Sequence, residues 1–206
     1  MTMLTAAVLA GGASARMGRD KASLLLGGVP LLKRVVDRVA SCADEVLVVG
    51  RAGFPGLAGV RFVPDLVELG GPPSSMRGLH AALAHARGEF VLLLACDMPF
   101  FDVGLVEHMK GLCAEADVVL PCPGGRCEPL CALYRAALAA RAGVLLAAGR
   151  LRLRSLLEEP GLRVWCVEEG GYPFAEDTFF NINTPEDYRR AQEIRRVRGG
   201  GEGRRA

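Results

Sequence analysis

Residues 9 to 21 read Leu-Ala-Gly-Gly-Ala-Ser-Ala-Arg-Met-Gly-Arg-Asp-Lys and directly follow an apolar run of strand length. Glycines at 11, 12 and 18 let a ligand approach the backbone N–H groups closely, and Arg16, Arg19 and Lys21 put three positive charges on the same loop. That is the composition of a cradle for a triphosphate. Two familiar phosphate patterns fail on spacing, since there is no Gly-x-Gly-x-x-Gly and no Gly-Lys-Ser/Thr after a four-residue gap. A solvated surface loop is the plain alternative. A second candidate is Asp97, in Cys96-Asp97-Met98-Pro99, at the end of the apolar run Phe90 to Cys96. Ligands of open parallel sheets bind outside the carboxyl ends of the strands, so a carboxylate there is placed to work; a turn before the proline is the alternative. Asp65 after Pro64 reads by itself as a turn residue, and Asn181 and Asn183 could satisfy backbone groups of their own loop before the final helix.

The elements that must position these residues alternate between strand and helix patterns. The expectation is an α/β fold, a three-layer Rossmann-like, mostly parallel sheet with helices on both faces. Strands are expected at Thr5 to Ala10, Glu45 to Val49, Val60 to Val63, Phe90 to Cys96, Val118 to Pro121, Pro129 to Tyr134 and Arg163 to Val167. A long loop to Gly28 precedes a helix starting at Pro30, whose Leu31, Leu32, Val35, Val36 and Val39 share one face. Further helices are expected at Arg77 to Ala86, Val103 to Glu115, Ala136 to Ala148 and Leu151 to Glu158, with a loop from Pro64 to Ser75. The last helix has Thr184 to cap it, Pro185 in its first position and Glu186 and Asp187 at the positive end of its dipole, and should reach about Arg196. This makes one domain, 1–197, with a disordered Gly/Arg tail over 198–206.

Composition narrows the function classes. A chain of 206 residues, half apolar and 23% charged, can bury a core of its own. The net charge of +2 hides an asymmetry: residues 195 to 206 carry five Arg and one Glu, leaving 20 basic and 22 acidic groups before them. A protein-wide nucleic-acid surface is therefore not expected, although the basic tail could serve an RNA or an acidic partner. No run is long and apolar enough to span a bilayer, and the first residues lack the basic segment of a secretory signal, so a cytoplasmic location is expected. The 7 cysteines are an odd number, and Cys96, Cys131 and Cys166 sit in apolar runs where a reduced thiol acts as a small hydrophobe. Cys122, Cys127 and Cys131 lack Cys-x-x-Cys spacing, so inert thiols rather than a structural metal are expected. His80, His85 and His108 offer no ligand pattern.

Residues 9 to 21 match, at every fixed position, the opening motif of the molybdenum cofactor guanylyltransferases, which the chain resembles. The resemblance continues through Gly28 to Leu32, Pro64-Asp65, Cys96 to Phe100, Glu128 to Tyr134 and Asn181 to Asp187, from residue 4 to about 194. It implies a nucleotide-diphospho-sugar-transferase-like fold and transfer of GMP from GTP to the terminal phosphate of molybdopterin, with release of pyrophosphate. It implies further that Lys21 neutralises charge at the α-phosphate, Arg16 grips the outer phosphates, and Asp97 is both catalytic and the holder of Mg²⁺. Leu9, Ala10, Gly11, Gly12, Gly18 and Asp65 would contact the nucleotide, and Asn181 and Asn183 would lie near the pterin and metal. Cofactor-insertion proteins or apo-molybdoenzymes would be transient partners. The chain departs from the pattern in Ser74-Ser75-Met76-Arg77, which looks more like the related cytidylyltransferases, and in Gly50-Arg51, where the family often has an asparagine. CTP in place of GTP, or a non-catalytic nucleotide or cofactor chaperone, are the alternatives.

Overall fold

The computed structural model describes residues 3–11, 20–64, 73–168 and 170–202, the last four as backbone. In chain order the strands are β1 (Leu4–Leu9), β2 (Leu25–Leu26), β3 (Val29–Pro30), β4 (Glu45–Val49), β5 (Arg61–Val63), β6 (Phe90–Ala95), β7 (Val118–Pro121), β8 (Cys131–Arg135) and β9 (Val164–Val167). The helices are α1 (Leu31–Val39), α2 (Ser75–His85), α3 (Val103–Gly111), α4 (Ala139–Ala147), α5 (Arg154–Leu157) and α6 (Pro185–Glu202). Seven of the strands form one sheet in the order β5-β4-β1-β6-β8-β7-β9. Neighbours are parallel except for β8, which runs antiparallel to both β6 and β7. That reversal matters for the site. Leu94 pairs with Cys131, so β8 begins at the edge where β6 ends.

The apolar runs form central strands because both faces are covered. Phe90, Leu92 and Leu94 enter the core that also takes Val35, Val36 and Val39 of α1 and Leu105, Val106 and Met109 of α3. Val91 and Leu93 enter the opposite core with Leu79 and Leu83 of α2 and Leu145 and Leu146 of α4. The three layers expected from the alternating pattern are present, and strand ends agree to within two residues.

Four expectations need revision. From Lys21 onward the expected long loop is ordered: Lys21–Ser23 makes a 3₁₀ turn and β2–β3 a hairpin. The two-residue hairpin loop has φ of +63° at Gly27 and +81° at Gly28, a conformation cheap only for glycine, which explains the Gly-Gly pair. Second, α2 starts at Ser75 rather than Arg77 because the Ser74 hydroxyl caps it, accepting from the Arg77 N–H at 3.3 Å. Third, α6 continues to Glu202, past the expected end near Arg196. Arg198 is anchored rather than part of a loose tail: its guanidinium donates to the Phe100 carbonyl at 3.4 Å, pairs with Asp177 and lies over the Phe100 ring. Residues 203–206 lie outside the described residues. Fourth, Cys166 is exposed, since β9 is an edge strand and its Trp165 and Cys166 have no covering layer. Among the described residues no helix is long and apolar enough to cross a membrane.

Candidate active site

One cavity of about 730 Å³ opens along the carboxyl edge of the sheet, a size typical of sites for nucleotide-sized ligands. Leu9, Ala10, Gly11, Lys21, Asp97, Asn181 and Asn183 all line it. Seven of the expected site residues are thus brought together from three distant parts of the chain. Arg16, Gly12, Gly18 and Asp65 lie outside the described residues, as does most of the loop expected between Pro64 and Ser75.

Lys21 stands at the floor of this cavity. Its ammonium donates to Asp97 Oδ2 at 2.9 Å and to Asn183 Oδ1 at 2.7 Å. The Lys21 and Asp97 side chains are 19% and 15% exposed, buried enough to hold one geometry yet open to a ligand from the cavity. Asp97 arrives there because β6 ends at Ala95 and turns, with Met98 N–H donating to the Ala95 carbonyl at 3.2 Å. The Asp97 carbonyl in turn accepts from Ile182 N–H at 3.0 Å, which ties the 181–183 segment to the end of β6. Asn183 is oriented from behind: Asp187 Oδ2 accepts from its N–H at 2.9 Å and from Thr184 N–H at 2.8 Å, while Thr184 Oγ1 accepts from Asp187 N–H at 3.1 Å. This reciprocal cap both starts α6 and places the asparagine. Partial burial pushes the Asp187 carboxyl up, but the hydrogen bonds from Asn183 and Thr184 outweigh it and leave the group below its ordinary value of 3.8. Asn181 lines the cavity with its amide N–H₂ donating to the Phe179 carbonyl at 3.0 Å.

The near end of the cradle is braced by residues the motif reading left aside. Asp20 accepts from Ala22 N–H at 3.3 Å and from the Ser23 hydroxyl at 2.7 Å, and it pairs with Arg51. Arg51 Nε also donates to the Ala10 carbonyl at 3.0 Å. Burial raises the Asp20 carboxyl, yet the bonds from Ser23, Arg51 and Ala22 hold it below its ordinary value of 3.8. Arg51 occupies the place after β4 where the resembling family often has an asparagine, and there it contacts Ala10 and Asp20 at the two ends of the cradle loop. Asp20 could have been found, lying between Arg19 and Lys21; Arg51 stood out only as a departure from the family pattern, and nothing in the sequence announced its contacts or the role of Asp187 in setting Asn183.

Three further features bound the chemistry. Burial first, and the Asp97 charge second, push the Cys96 thiol up to about 12, so at neutral pH it is a packed thiol and not a nucleophile. Ser74 and Ser75 line the cavity, but the Ser74 oxygen is already engaged as the cap of α2. Among the described residues Asp97 and Asp20 are the carboxylates that line the cavity; Asp97 is paired with Lys21, and the carboxylate of Asp20 is taken up by Ser23, Ala22 and Arg51. That fits Mg²⁺, which binds through one or two carboxylates and takes its other ligands from phosphates and water; it does not resemble a closed metal cage.

Comparison with known proteins agrees with this arrangement. Residues 6–164 match the family model described as the MobA-like NTP transferase domain. The chain is 36% identical over 196 residues to a probable molybdenum cofactor guanylyltransferase of Pelotomaculum thermopropionicum, covering 93% of each. It is 35% identical over 195 residues to one of Nostoc sp., covering 91% of this chain and 89% of that protein. Among solved structures, the molybdopterin-guanine dinucleotide biosynthesis protein A of Archaeoglobus fulgidus superposes with a TM-score of 0.79 at 28% identity, covering 94% of this chain and 99% of that one.

Proposed function

The chain belongs to the family of MobA-like NTP transferase domains, and we propose that it transfers GMP from GTP to the terminal phosphate of molybdopterin. In this reaction a phosphate oxygen of molybdopterin bonds to the α-phosphorus of GTP, the bond to the β-phosphate breaks, and pyrophosphate leaves. The observation that carries the reading is the Lys21–Asp97–Asn183 contact at the floor of a nucleotide-sized cavity, lined by the glycine-containing loop after β1. Its relatives of 35% and 36% identity bear the matching name over nearly their whole length.

The nucleophile explains why the cavity needs no general base. A phosphate monoester has a second pKa of about 6 and is largely ionised at neutral pH, so no side chain has to take a proton from it. What the protein must supply is the holding together of two polyanions and relief of their repulsion. Among the described residues Lys21 is the cation that lines the cavity, and it is paired there with Asp97. With a triphosphate bound, Lys21 would face the α-phosphate and Asp97 would be the residue that holds Mg²⁺. Bound there, Mg²⁺ would supply charge neutralisation on the phosphates and the departing pyrophosphate. Asn183 keeps the lysine ammonium on the cavity side, and Arg16 from the loop 12–19 would grip the outer phosphates with its planar fork. For the base, GTP is favoured over CTP because the relatives at 35% and 36% identity are named guanylyltransferases.

The test is direct. Purified protein is mixed with Mg²⁺, molybdopterin-bound molybdenum and each of the four nucleoside triphosphates, and pyrophosphate release is followed. Release with GTP alone is expected. Release with CTP and not GTP would overturn the base assignment, and tight GTP binding without release at high protein concentration would make the chain a carrier instead.

A further inference from the structure

Outside the cavity, the sulfurs of Cys122, Cys127 and Cys166 all lie within 4.8 Å of one another. No spacing rule suggests this trio, because its third member lies far along the chain. Cys122 follows the last residue of β7, and Cys166 lies in β9, the parallel neighbour of β7. Their approach is built into the backbone. Leu120 pairs with Cys166, and Cys122 N–H donates to the Val167 carbonyl at 2.8 Å, which extends the register one residue past β7. Cys127 is then folded back by the turn Pro123-Gly124-Gly125-Arg126. Both glycines have positive φ, +55° and +76°, and the turn is closed where Glu128 N–H donates to the Pro121 carbonyl at 2.9 Å.

We propose that Cys122, Cys127 and Cys166 form a binding site for a soft, thiophilic divalent cation such as Zn²⁺, with solvent completing the tetrahedron. In a tetrahedral site with metal–sulfur bonds of about 2.3 Å, the sulfurs stand about 3.8 Å apart. The Cys122 and Cys127 sulfurs are 2.7 Å apart here, so this pair must open by about 1 Å to take the ion, while Cys166 already lies within 4.8 Å of both. Thiolate ligands select Zn²⁺ over the hard Mg²⁺ of the phosphate site, so the two would not compete for one ion. Cys127 and Cys166 are exposed while Cys122 is buried, which leaves a path for the ion and an open fourth position. As the ion enters, each coordinating S–H gives its proton to solvent and a sulfur–metal bond replaces it. A Cys122–Cys127 disulfide would use two of the sulfurs and leave Cys166, brought in by a separate strand, with no role. The ion would pin the segment 122–130 to β9, and Leu130 at the end of that segment lines the nucleotide cavity.

The test uses the full chain, reduced and stripped with a chelator, then titrated with Co²⁺ as a coloured stand-in for Zn²⁺. One equivalent should raise thiolate-to-cobalt charge-transfer absorption in the near ultraviolet with tetrahedral bands in the visible, and one equivalent of Zn²⁺ should bleach both. Cys127→Ser and Cys166→Ser, which alter exposed positions and should fold, are each expected to lose this spectrum, while Cys42→Ala keeps it. The proposal is overturned if the reduced protein shows no charge-transfer band, if the triple Cys122→Ser/Cys127→Ser/Cys166→Ser variant retains it, or if peptide mapping finds a Cys122–Cys127 disulfide that persists under the reducing conditions used.

Discussion

Replacing Lys21 by Met removes one charge while keeping most of the side chain's length, so it isolates what that charge does. In the resting site the ammonium lies 2.9 Å from Asp97 Oδ2, a gross attraction of about 6 kcal/mol at an effective dielectric of about 20. Most of that is offset by desolvation and by fixing two partly open side chains, so the expected loss of folding stability is only about 1 kcal/mol. For a domain of this size that is a fall in melting temperature of about 2 to 4 °C. Catalysis should suffer far more. Losing one preorganised donor aimed at developing charge typically lowers kcat by about 10²- to 10³-fold, while KM for GTP should change little because the rest of the loop still holds the triphosphate. Steady-state pyrophosphate release with Mg²⁺, GTP and molybdopterin measures both constants, and thermal unfolding measures the stability. Adding Asp97→Asn separates the two roles: the double variant should regain the lost melting temperature, since no uncompensated carboxylate remains, without regaining activity. A Lys21→Met enzyme that folds and turns over within about threefold of the parent would refute the electrostatic argument.

Three other substitutions probe the supports of the site. Asp187→Asn should destabilise the fold by about 1 kcal/mol near neutral pH through loss of the cap, and should also lower kcat by releasing Asn183. The folded carboxyl ionises below its ordinary value of 3.8, so its stabilisation is complete above that value and is lost as pH falls through the lower folded one. Melting curves of parent and variant should therefore converge in acid, and a constant gap down to about pH 2 would contradict the assignment. Gly78→Ala would set a methyl 2.7 Å from Leu9 Cδ2, a flexible tip that can yield only by moving within the cavity it lines. Helix propensity favours the alanine by up to about 1 kcal/mol, so stability should hold while KM for GTP rises, and an unchanged KM would show that Leu9 does not bound the nucleotide. Ser74→Ala should cost about 1 kcal/mol as a lost cap yet leave the preference for GTP over CTP intact; a shift in that ratio would give Ser74 a part in reading the base.

The fold was legible wherever a local pattern coincided with burial. The run Phe90 to Cys96 reads as a strand covered on both faces; the strand ends at Ala95, and its six residues are all buried. The face of α1 formed by Leu31, Leu32, Val35, Val36 and Val39 is likewise buried in full. Within the site, Lys21, Asp97 and Asn183 were each marked by residue type and position at the end of an element. Their contact was not, because it depends on the Ile182 N–H bond to the Asp97 carbonyl, which joins segments some eighty residues apart. The reach of α6 was misread for a related reason. Glycines at 199 to 201 argue locally for a helix end, whereas the anchoring of Arg198 on Phe100 and Asp177 is tertiary.

The same argument explains why the cysteines misled. Cys166 lies in an apolar run, and an apolar run in a central strand is buried; β9 is at the sheet's edge, and only topology says so. The antiparallel insertion of β8 decides what collects at one end of the sheet. It brings the start of β8 beside the end of β6, so that Leu130 reaches the cavity floored by Asp97, while the connection from β7 to β8 stays short enough to carry Cys122 and Cys127. Had β8 run parallel, Leu130 would have fallen at the opposite edge and a full crossover would have been needed to bring the chain back. The cradle after β1, Arg51 after β4, Asp97 after β6 and Cys122 after β7 share the carboxyl edge because these four strands run in one direction. A ligand held by the thiols would therefore sit on the segment 122–130, whose last residue, Leu130, is part of the cavity wall.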